Sequence, residues 1–309
     1  MISGRVSVMM PCYNAAKYVD EAIDSLRNQT YGNLEILVVD DGSNDDTVAR
    51  LRRHAGEDPR VRVFTQNNAG PSAARNLALR NVTGEFACFL DADDIYLPEK
   101  IERQVRFLND HPEVELVYSD YYTSDSQLNL TALTAIRFAS DDALESVALH
   151  NWFPPLVPLF RCRMLSEVGE FDESFRMTED WDYWIRWAKV GRFAYLRGAT
   201  SIYRSHGEQV HHAHDRMFNA GKLVLKKHFQ SDPVMHQRAL AAWYASHAKI
   251  RWVNGRHAMT AWFLARCAFH GRVARALAKL PSRMCESTEG RRQSLRLQVS
   301  SQAQDNPRD

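Results

Sequence analysis

The sequence predicts an α/β protein with a mostly parallel central sheet flanked by helices, followed by a helical C-terminal extension. Three observations predict it. Over roughly the first 120 residues, apolar runs of strand length alternate with helically spaced segments. Four of those runs close on short polar clusters. Beyond about residue 215 the strand pattern stops and the chain reads as helix throughout.

Val6 to Met10 is a short apolar run closed by Pro11, and Tyr18 to Leu26 then has helical spacing. Leu34 to Val39 reads as a buried strand ending at Asp40-Asp41-Gly42-Ser43, with a helix over Thr47 to His54. Val61 to Phe64 is a third strand, followed by Asn67-Asn68-Ala69-Gly70. Pro71 suits the first turn of a helix running to Arg80. Phe86 to Leu90 is a fourth strand, and it ends at Asp91-Ala92-Asp93. Strict alternation of this kind implies a parallel sheet covered on both faces. Ligands of such sheets bind outside the carboxyl ends of the strands, so four polar strand ends describe one site.

Further on, Pro98 to Leu108 is an amphipathic helix and Leu116 to Tyr121 a strand. Residues 123–140 read as polar and irregular, and Trp152 to Phe160 as an apolar loop leading to a strand. Asp180 to Val190 is a helix dense in aromatics, while Phe193 to Leu196 and Ser201 to Tyr203 read as two short strands. Residues 286–309 are polar and expected to be disordered.

The formal net charge of +1 hides an asymmetry. Residues 211–309 hold seventeen Lys/Arg against six Asp/Glu, which leaves the remainder acidic. A nucleic-acid partner is not suggested. The five cysteines are scattered without C-x-x-C spacing, which argues against a disulfide framework or a zinc site and suits a reducing cytosol. No signal peptide is read at the N-terminus, and no uncharged apolar run is long enough to span a bilayer. Neither G-x-G-x-x-G nor a Walker A sequence is present, which disfavours dehydrogenases and P-loop enzymes.

The acidic pair carries the chemistry. In an extended segment residues i and i+2 face one side, so Asp91 and Asp93 can address one ligand. Paired hard carboxylates favour magnesium or manganese, and a solvated acidic turn is the alternative. Six ordered motifs decide the matter: Pro11-Cys12-Tyr13-Asn14, Val39-Asp40-Asp41-Gly42-Ser43, Asn68-Ala69-Gly70-Pro71-Ser72-Ala73-Ala74-Arg75-Asn76, Asp91-Ala92-Asp93, Glu179-Asp180-Trp181-Asp182 and Tyr203-Arg204-Ser205-His206. Together they make the chain resemble an inverting family 2 glycosyltransferase of the GT-A (Rossmann-like) fold over residues 5–210, of the kind that builds bacterial surface polysaccharides.

The resemblance implies a nucleoside-diphosphate sugar donor, foremost UDP-linked, a divalent cation (Mn2+ or Mg2+) and a glycan or lipid-linked acceptor. It places the nucleotide against Pro11, Tyr13, Asp40, Asn68, Arg75 and Asp91, and the metal at Asp93 and His206. Arg75, near the positive end of its helix, is expected to meet the base or phosphate, with a surface arginine as the alternative. Asp180 is the expected general base, a role compatible with capping its helix. Neighbouring Glu179 and Asp182, with apolar Trp181 and Trp184, are expected to raise its pKa. Glu179 and Trp181 are acceptor-side candidates, although the helical spacing of the tryptophans also suits the core. His211, His212 and His214 lack zinc spacing and read as solvated or loosely site-adjacent.

Three segments are therefore expected: a catalytic domain over 1–214, a basic helical extension over 215–285 and the tail. Residues 216–283 interleave thirteen basic residues with tryptophans and phenylalanines around a lone acid, Asp232. Such helices either lie on an anionic membrane or cap the catalytic domain with their cations in water. The expected location is the cytoplasm, with peripheral contact at the inner membrane face. A nucleotide-sugar-binding scaffold without transfer activity is the alternative function. A nucleotidyltransferase is disfavoured, because no glycine-rich basic loop follows the first strand.

Overall fold

The computed structural model of the chain describes residues 1–138, 142–207, 214–253 and 257–277. The expected tail, Cys285, His211 and His212 lie outside them.

Strand β1 (Ile2–Cys12) is the centre of the first half. It pairs in parallel with β2 (Leu34–Asp40) on one side and with β4 (Gly84–Phe89) on the other, and β2 pairs in parallel with β3 (Val61–Thr65). Every residue of β2 is buried, as expected for a strand covered on both faces. The register sets Cys12 opposite Asp40 and Asp40 opposite Thr65, so the carboxyl ends finish on one edge. Helices α1 (Val19–Arg27), α2 (Thr47–Glu57) and α3 (Pro71–Leu79) make the crossovers.

The second half is mixed rather than parallel. The strand order is β3-β2-β1-β4-β8-β6-β9-β5. Here β8 (Leu159–Arg161) runs antiparallel to β4 and to β6 (Leu116–Ser124), whereas β9 (Phe193–Arg204) is parallel to β6. The short β5 (Ile95–Tyr96) runs antiparallel to β9. Two expectations need correction. The stretch read as irregular contains an edge strand, β7 (Leu130–Thr134), antiparallel to β6. It buries almost nothing, so it leaves no apolar alternation to read. The two short strands near residue 200 are one, β9, in which Gly198 adopts φ 94° where the register against β6 shifts. Arg103, on α4 (Lys100–Asp110), donates to the carbonyls of Arg197 and Ala199 on either side of it.

The apolar 152–160 loop is held from beneath. Lys100 is fully buried, and burial pushes its pKa down to about 7. Its Nζ donates to Gln104 Oε1 (2.6 Å) and to the Val157 carbonyl (2.9 Å). Helix α7 (Glu179–Val190) buries Trp181, Tyr183, Trp184 and Trp187. Phe89 at the end of β4 meets Tyr183 and Trp184 edge-on.

The C-terminal part comprises α8 (His214–Phe229), α9 (Pro233–Val253) and α10 (His257–Leu277). Of the two roles expected for it, α8 and α9 meet the packing requirement of a cap. Asp182 of α7, fully buried, accepts from Lys227 (2.6 Å), His228 (2.7 Å) and Arg186 (3.0 Å). Trp243 lies 4.7 Å from Trp181, ring centre to ring centre, and presses on Gly221, where a Cβ would come within 2.4 Å of the indole. Arg238 pairs with Glu145 on α5 (Ala143–Leu149). Helix α10 packs on α9. No described helix is long and apolar enough to cross a membrane.

Asp182 is held well below the usual carboxylate range: burial opposes its charge, and hydrogen bonds from His228 and Lys227 with the Arg186 charge outweigh it. Asp182→Asn leaves two cations, Lys227 and Arg186, and the His228 ring without their carboxylate. The expected loss is about 3 kcal/mol in denaturant unfolding at neutral pH. Because the folded pKa is depressed, the difference between the two proteins should shrink as pH falls below about 4.

Candidate active site

The first wall is made by the turns after β1 and β2. Asn14 adopts the left-handed conformation (φ 49°), its amide donating to Ser43 Oγ (2.9 Å) and its side-chain oxygen accepting from Asn44 (2.8 Å). Ala15 donates to Thr47 Oγ1 (2.8 Å), which lashes the two turns together. Pro11 is half-buried within this wall, and Tyr13 projects from it, 51% exposed. Asp40 is buried. One of its carboxylate oxygens accepts from Ser43 N at 3.2 Å, while the other, Oδ1, has no hydrogen-bond partner. A buried acceptor without a donor is costly, so this oxygen is suited to a donor brought by a ligand. Asp41, in contrast, is fully used. It accepts from Gln66 (2.7 Å), Ala69 N (2.8 Å) and Gly70 N (2.8 Å), and so shapes the loop that presents exposed Asn68. Gly42 permits this closeness, since a Cβ there would lie 2.9 Å from Asn68 N.

The turn after β4 gives each of its carboxylates a different partner. Asp91 accepts from Arg75 Nη2 (2.8 Å). Asp93 Oδ2 lies 2.9 Å from His206 Nε2 at the end of β9. Asp94 is buried and accepts from Arg204 N (2.9 Å), which clamps the end of β9 to this turn. Burial, then Asp93 and Asp91, push its carboxyl well above the usual range. The His206 ring stacks on Tyr18 at 4.8 Å, and the Arg204 guanidinium also lies 4.8 Å from that ring while pairing with Glu21. Sequence reasoning missed Asp94, Tyr18, Arg204 and Glu21 as parts of the site. Asp94 was visible as a third acid beside the pair. Arg204 stands inside the Tyr203-Arg204-Ser205-His206 motif without a role of its own there, and Tyr18 and Glu21, whose partners come from distant segments, carried no local signal.

Arg75 is buried, which removes its surface-arginine alternative. It is 4% exposed and its guanidinium is already engaged, by Asp91 on one side and by Glu179 (3.0 Å) on the other. Burial opposes its charge, but Asp91 and Glu179 hold its pKa above the ordinary value. It therefore joins the acidic turn to the start of α7, and its Nε keeps a buried N–H without a hydrogen-bond partner. Glu179 keeps one buried oxygen, Oε2, without a hydrogen-bond partner. Beside it Asp180 is half-buried, accepting from its own helix at Trp181 N (2.7 Å) and from Asn151 Nδ2 (3.1 Å). Burial first, then the Glu179 charge, push its pKa up to about 7, against the pull of Asn151 and Arg75. Asp182 is engaged by the cap network and is not among the main causes of that shift. Trp181 takes the core position of its two alternatives: it is fully buried, its indole N–H donating to the Val147 carbonyl (2.6 Å).

The acids share one field. Burial pushes the Cys12 thiol up, and Asp40, Asp91, Asp93 and Asp45 push it further. Asp93 and His206 present a hard carboxylate and an imidazole side by side, a donor pair suited to manganese or magnesium. Among the described residues no group of three or more His, Cys, Asp or Glu is assembled for a metal. Further ligands would have to come from a bound substrate or solvent.

The family profile described as glycosyl transferase family 2 matches residues 7–192. The chain belongs to glycosyl transferase family 2. An uncharacterized glycosyltransferase of Rickettsia conorii is 34% identical over 218 residues, which is 66% of this chain and 34% of that protein. One from Haemophilus influenzae is 30% identical, with 72% of each chain covered. Chondroitin synthase of Escherichia coli is 29% identical over 66% of this chain and 29% of its own length. The match thus spans only about a third of several of these longer relatives. Among solved structures, S. aureus TarS 1–349 in complex with UDP-GlcNAc superposes with a TM-score of 0.62 at 17% identity, covering 89% of this chain and 91% of that one. The mannosyltransferase PcManGT of Pyrobaculum calidifontis, in complex with GDP-Man and Mn2+, gives 0.60 at 21% identity, over 90% and 76%. The fold is that of GT-A glycosyltransferases.

Arg75→Lys tests the bridge. One ammonium cannot reach Asp91 and Glu179 together as the forked guanidinium does. Its expected effect is a loss of about 2–3 kcal/mol in unfolding free energy. Nucleotide affinity should fall with it, because Asp91 loses its anchor; calorimetry reads both.

Proposed function

We propose that the chain transfers a sugar from a nucleoside-diphosphate sugar, foremost a UDP-linked one, to an acceptor hydroxyl with inversion at the anomeric carbon. The observation that carries the reading is Asp180. It is a carboxylate whose pKa is pushed up to about 7, next to Glu179, which Arg75 joins to the acidic turn. TarS in complex with UDP-GlcNAc and PcManGT in complex with GDP-Man and Mn2+ support a nucleotide sugar and a divalent cation as ligand classes.

In this reading Asp40 Oδ1 accepts an N–H of the base, with Tyr13 and the Pro11 turn packing beside it and Asn68 at the rim. Asp91, held by Arg75, faces the ribose. Asp93 and His206 would hold the cation, which supplies positive charge against the diphosphate when bound. Asp180 takes the proton of the acceptor hydroxyl as that oxygen bonds to the anomeric carbon, and the bond to the nucleoside diphosphate breaks on the opposite face. Asn151 keeps the carboxylate oriented, and Glu179 Oε2 is available to the acceptor. Catalysis is assigned to residues 1–214 and a supporting role to 215–285. The acceptor is a glycan or lipid-linked glycan, consistent with polysaccharide assembly and with chondroitin synthase among the relatives. A cytoplasmic enzyme in peripheral contact with the inner membrane face suits such an acceptor.

Asp180→Asn should abolish transfer while nucleotide-sugar affinity stays within about twofold. Asp93→Ala should lose the metal-dependent part of donor binding in calorimetry with manganese. Normal turnover in either variant removes the assignment. The base must be deprotonated to act, so kcat/KM should fall tenfold per pH unit below about pH 7, and the acid limb should sit well above the ordinary carboxylate range. A product retaining the anomeric configuration of the donor, read by NMR, excludes the single displacement.

A further inference from the structure

Helices α9 and α10 have nearly the same character: long, apolar around much of their circumference, and free of acid. Residues 233–277 contain seven Lys/Arg and no Asp or Glu. In α9 the structure accounts for this. The helix is a middle layer, with Trp243 against Trp181 on one side and Tyr244 against Trp262, Phe263 and His270 of α10 on the other. A helix that is hydrophobic all round is expected to be covered all round.

Helix α10 has only half of that cover. Its inner stripe, Thr260, Phe263, Cys267, His270 and Ala274, packs inward, chiefly on α9, with Phe263 also reaching Phe218 of α8. The opposite face carries Ala261, Leu264, Ala265, Ala268 and Phe269, all exposed, with exposed Trp262 at its flank beside Tyr244. Trp262, Leu264 and Phe269 alone are 49%, 53% and 55% exposed. Arg266, Arg272 and Arg275 stand exposed along it, the first with its guanidinium 5.3 Å from the Trp262 ring. At 21 residues the helix presents this surface over about 30 Å.

Charge decides between the occupants. If two copies paired α10 against α10 about a two-fold axis, the same patch would meet itself, and arginines would face arginines with no acid on either helix to separate them. The chain's own residues 278–309 are a poor cover, since they hold no aromatic residue and more Lys/Arg than Asp/Glu. An anionic lipid surface meets both requirements, accepting the apolar face into the headgroup boundary and pairing with the cations around it.

We propose that the outer face of α10 is the membrane-docking surface of this protein, and that it selects bilayers containing anionic lipid. Helices α8 and α9 then serve as the rigid mount that joins it to α7 and hence to Asp180. This narrows the membrane partner named above to one helix face, and its test is independent of sugar transfer.

The test is co-sedimentation of the full chain with phosphatidylcholine vesicles, with and without phosphatidylglycerol, at low and high salt. Binding should need phosphatidylglycerol and weaken with salt. Arg266→Gln with Arg272→Gln should lower partitioning about fivefold per arginine. Leu264→Ser with Phe269→Ser should lower it at least about tenfold. These side chains are exposed, so melting midpoint and nucleotide affinity should be unchanged in both double variants. No wild-type binding, unaltered binding in both variants, or a dimer that the variants dissolve would each overturn the inference. A chain that transfers sugar but ignores vesicles overturns this inference alone. One that docks through α10 but binds no nucleotide sugar overturns the catalytic reading alone.

Discussion

A guanidinium buried between two carboxylates has no water to fall back on, so the charge of Arg75 is compensated only while Asp91 and Glu179 remain at 2.8 and 3.0 Å. Those two acids belong to different parts of the chain, one on the turn after β4 and the other at the head of α7. The ion triad fixes their separation, and the proposed nucleotide side and base side of the site are fixed with it. Asp180 inherits its environment from the same arrangement. Glu179, held next to it by Arg75, raises its pKa, while Arg75 itself limits the rise.

Around that bridge the edge is crowded with acid. Cys12 feels Asp40, Asp91, Asp93 and Asp45 together, and Asp94 is pushed toward its neutral form by burial and by its two acidic neighbours. Concentrated like charge of this sort is destabilising for the protein alone and favourable to a cation. Rigidity comes from hydrogen bonds that do not involve the exposed carboxylates: Asn14 with Ser43 and Asn44, Asp41 with Ala69 and Gly70, Asp94 with Arg204. Asp40 Oδ1 is left with its lone pairs unmet inside this frame.

The helical cap is coupled to the same helix. Asp182, two residues beyond the proposed base, is the anchor of α8, and Trp181 between them is the floor on which Trp243 rests. One turn of α7 therefore carries the base on one face and the attachment of the C-terminal helices on another. A docking force on α10 would pass through its packing on α9 to the residues flanking Asp180.

By itself the sequence determined the order along the chain of the first four strands and their crossovers, because segments of strand and helix character alternate and each strand ends in polar residues. It also determined which residues lie at the strand ends, since chain order and a parallel sheet suffice to bring Asp40, Asp91 and Asp93 to one edge. The edge strand β7 and the unbroken β9 were not legible, the first because it buries too little and the second because Gly198 interrupts the pattern. Partners were the larger loss. That Arg75 bridges Asp91 and Glu179, that Asn151 reaches Asp180, that Tyr18 stacks on His206 and that Trp181 turns inward all depend on contacts between residues 16 to 188 positions apart. Local pattern encodes which face of an element is apolar. Which charge meets which across a folded edge is decided only when tertiary packing sets the distances, and for the DAD turn this gave Asp91 to Arg75 and Asp93 to His206.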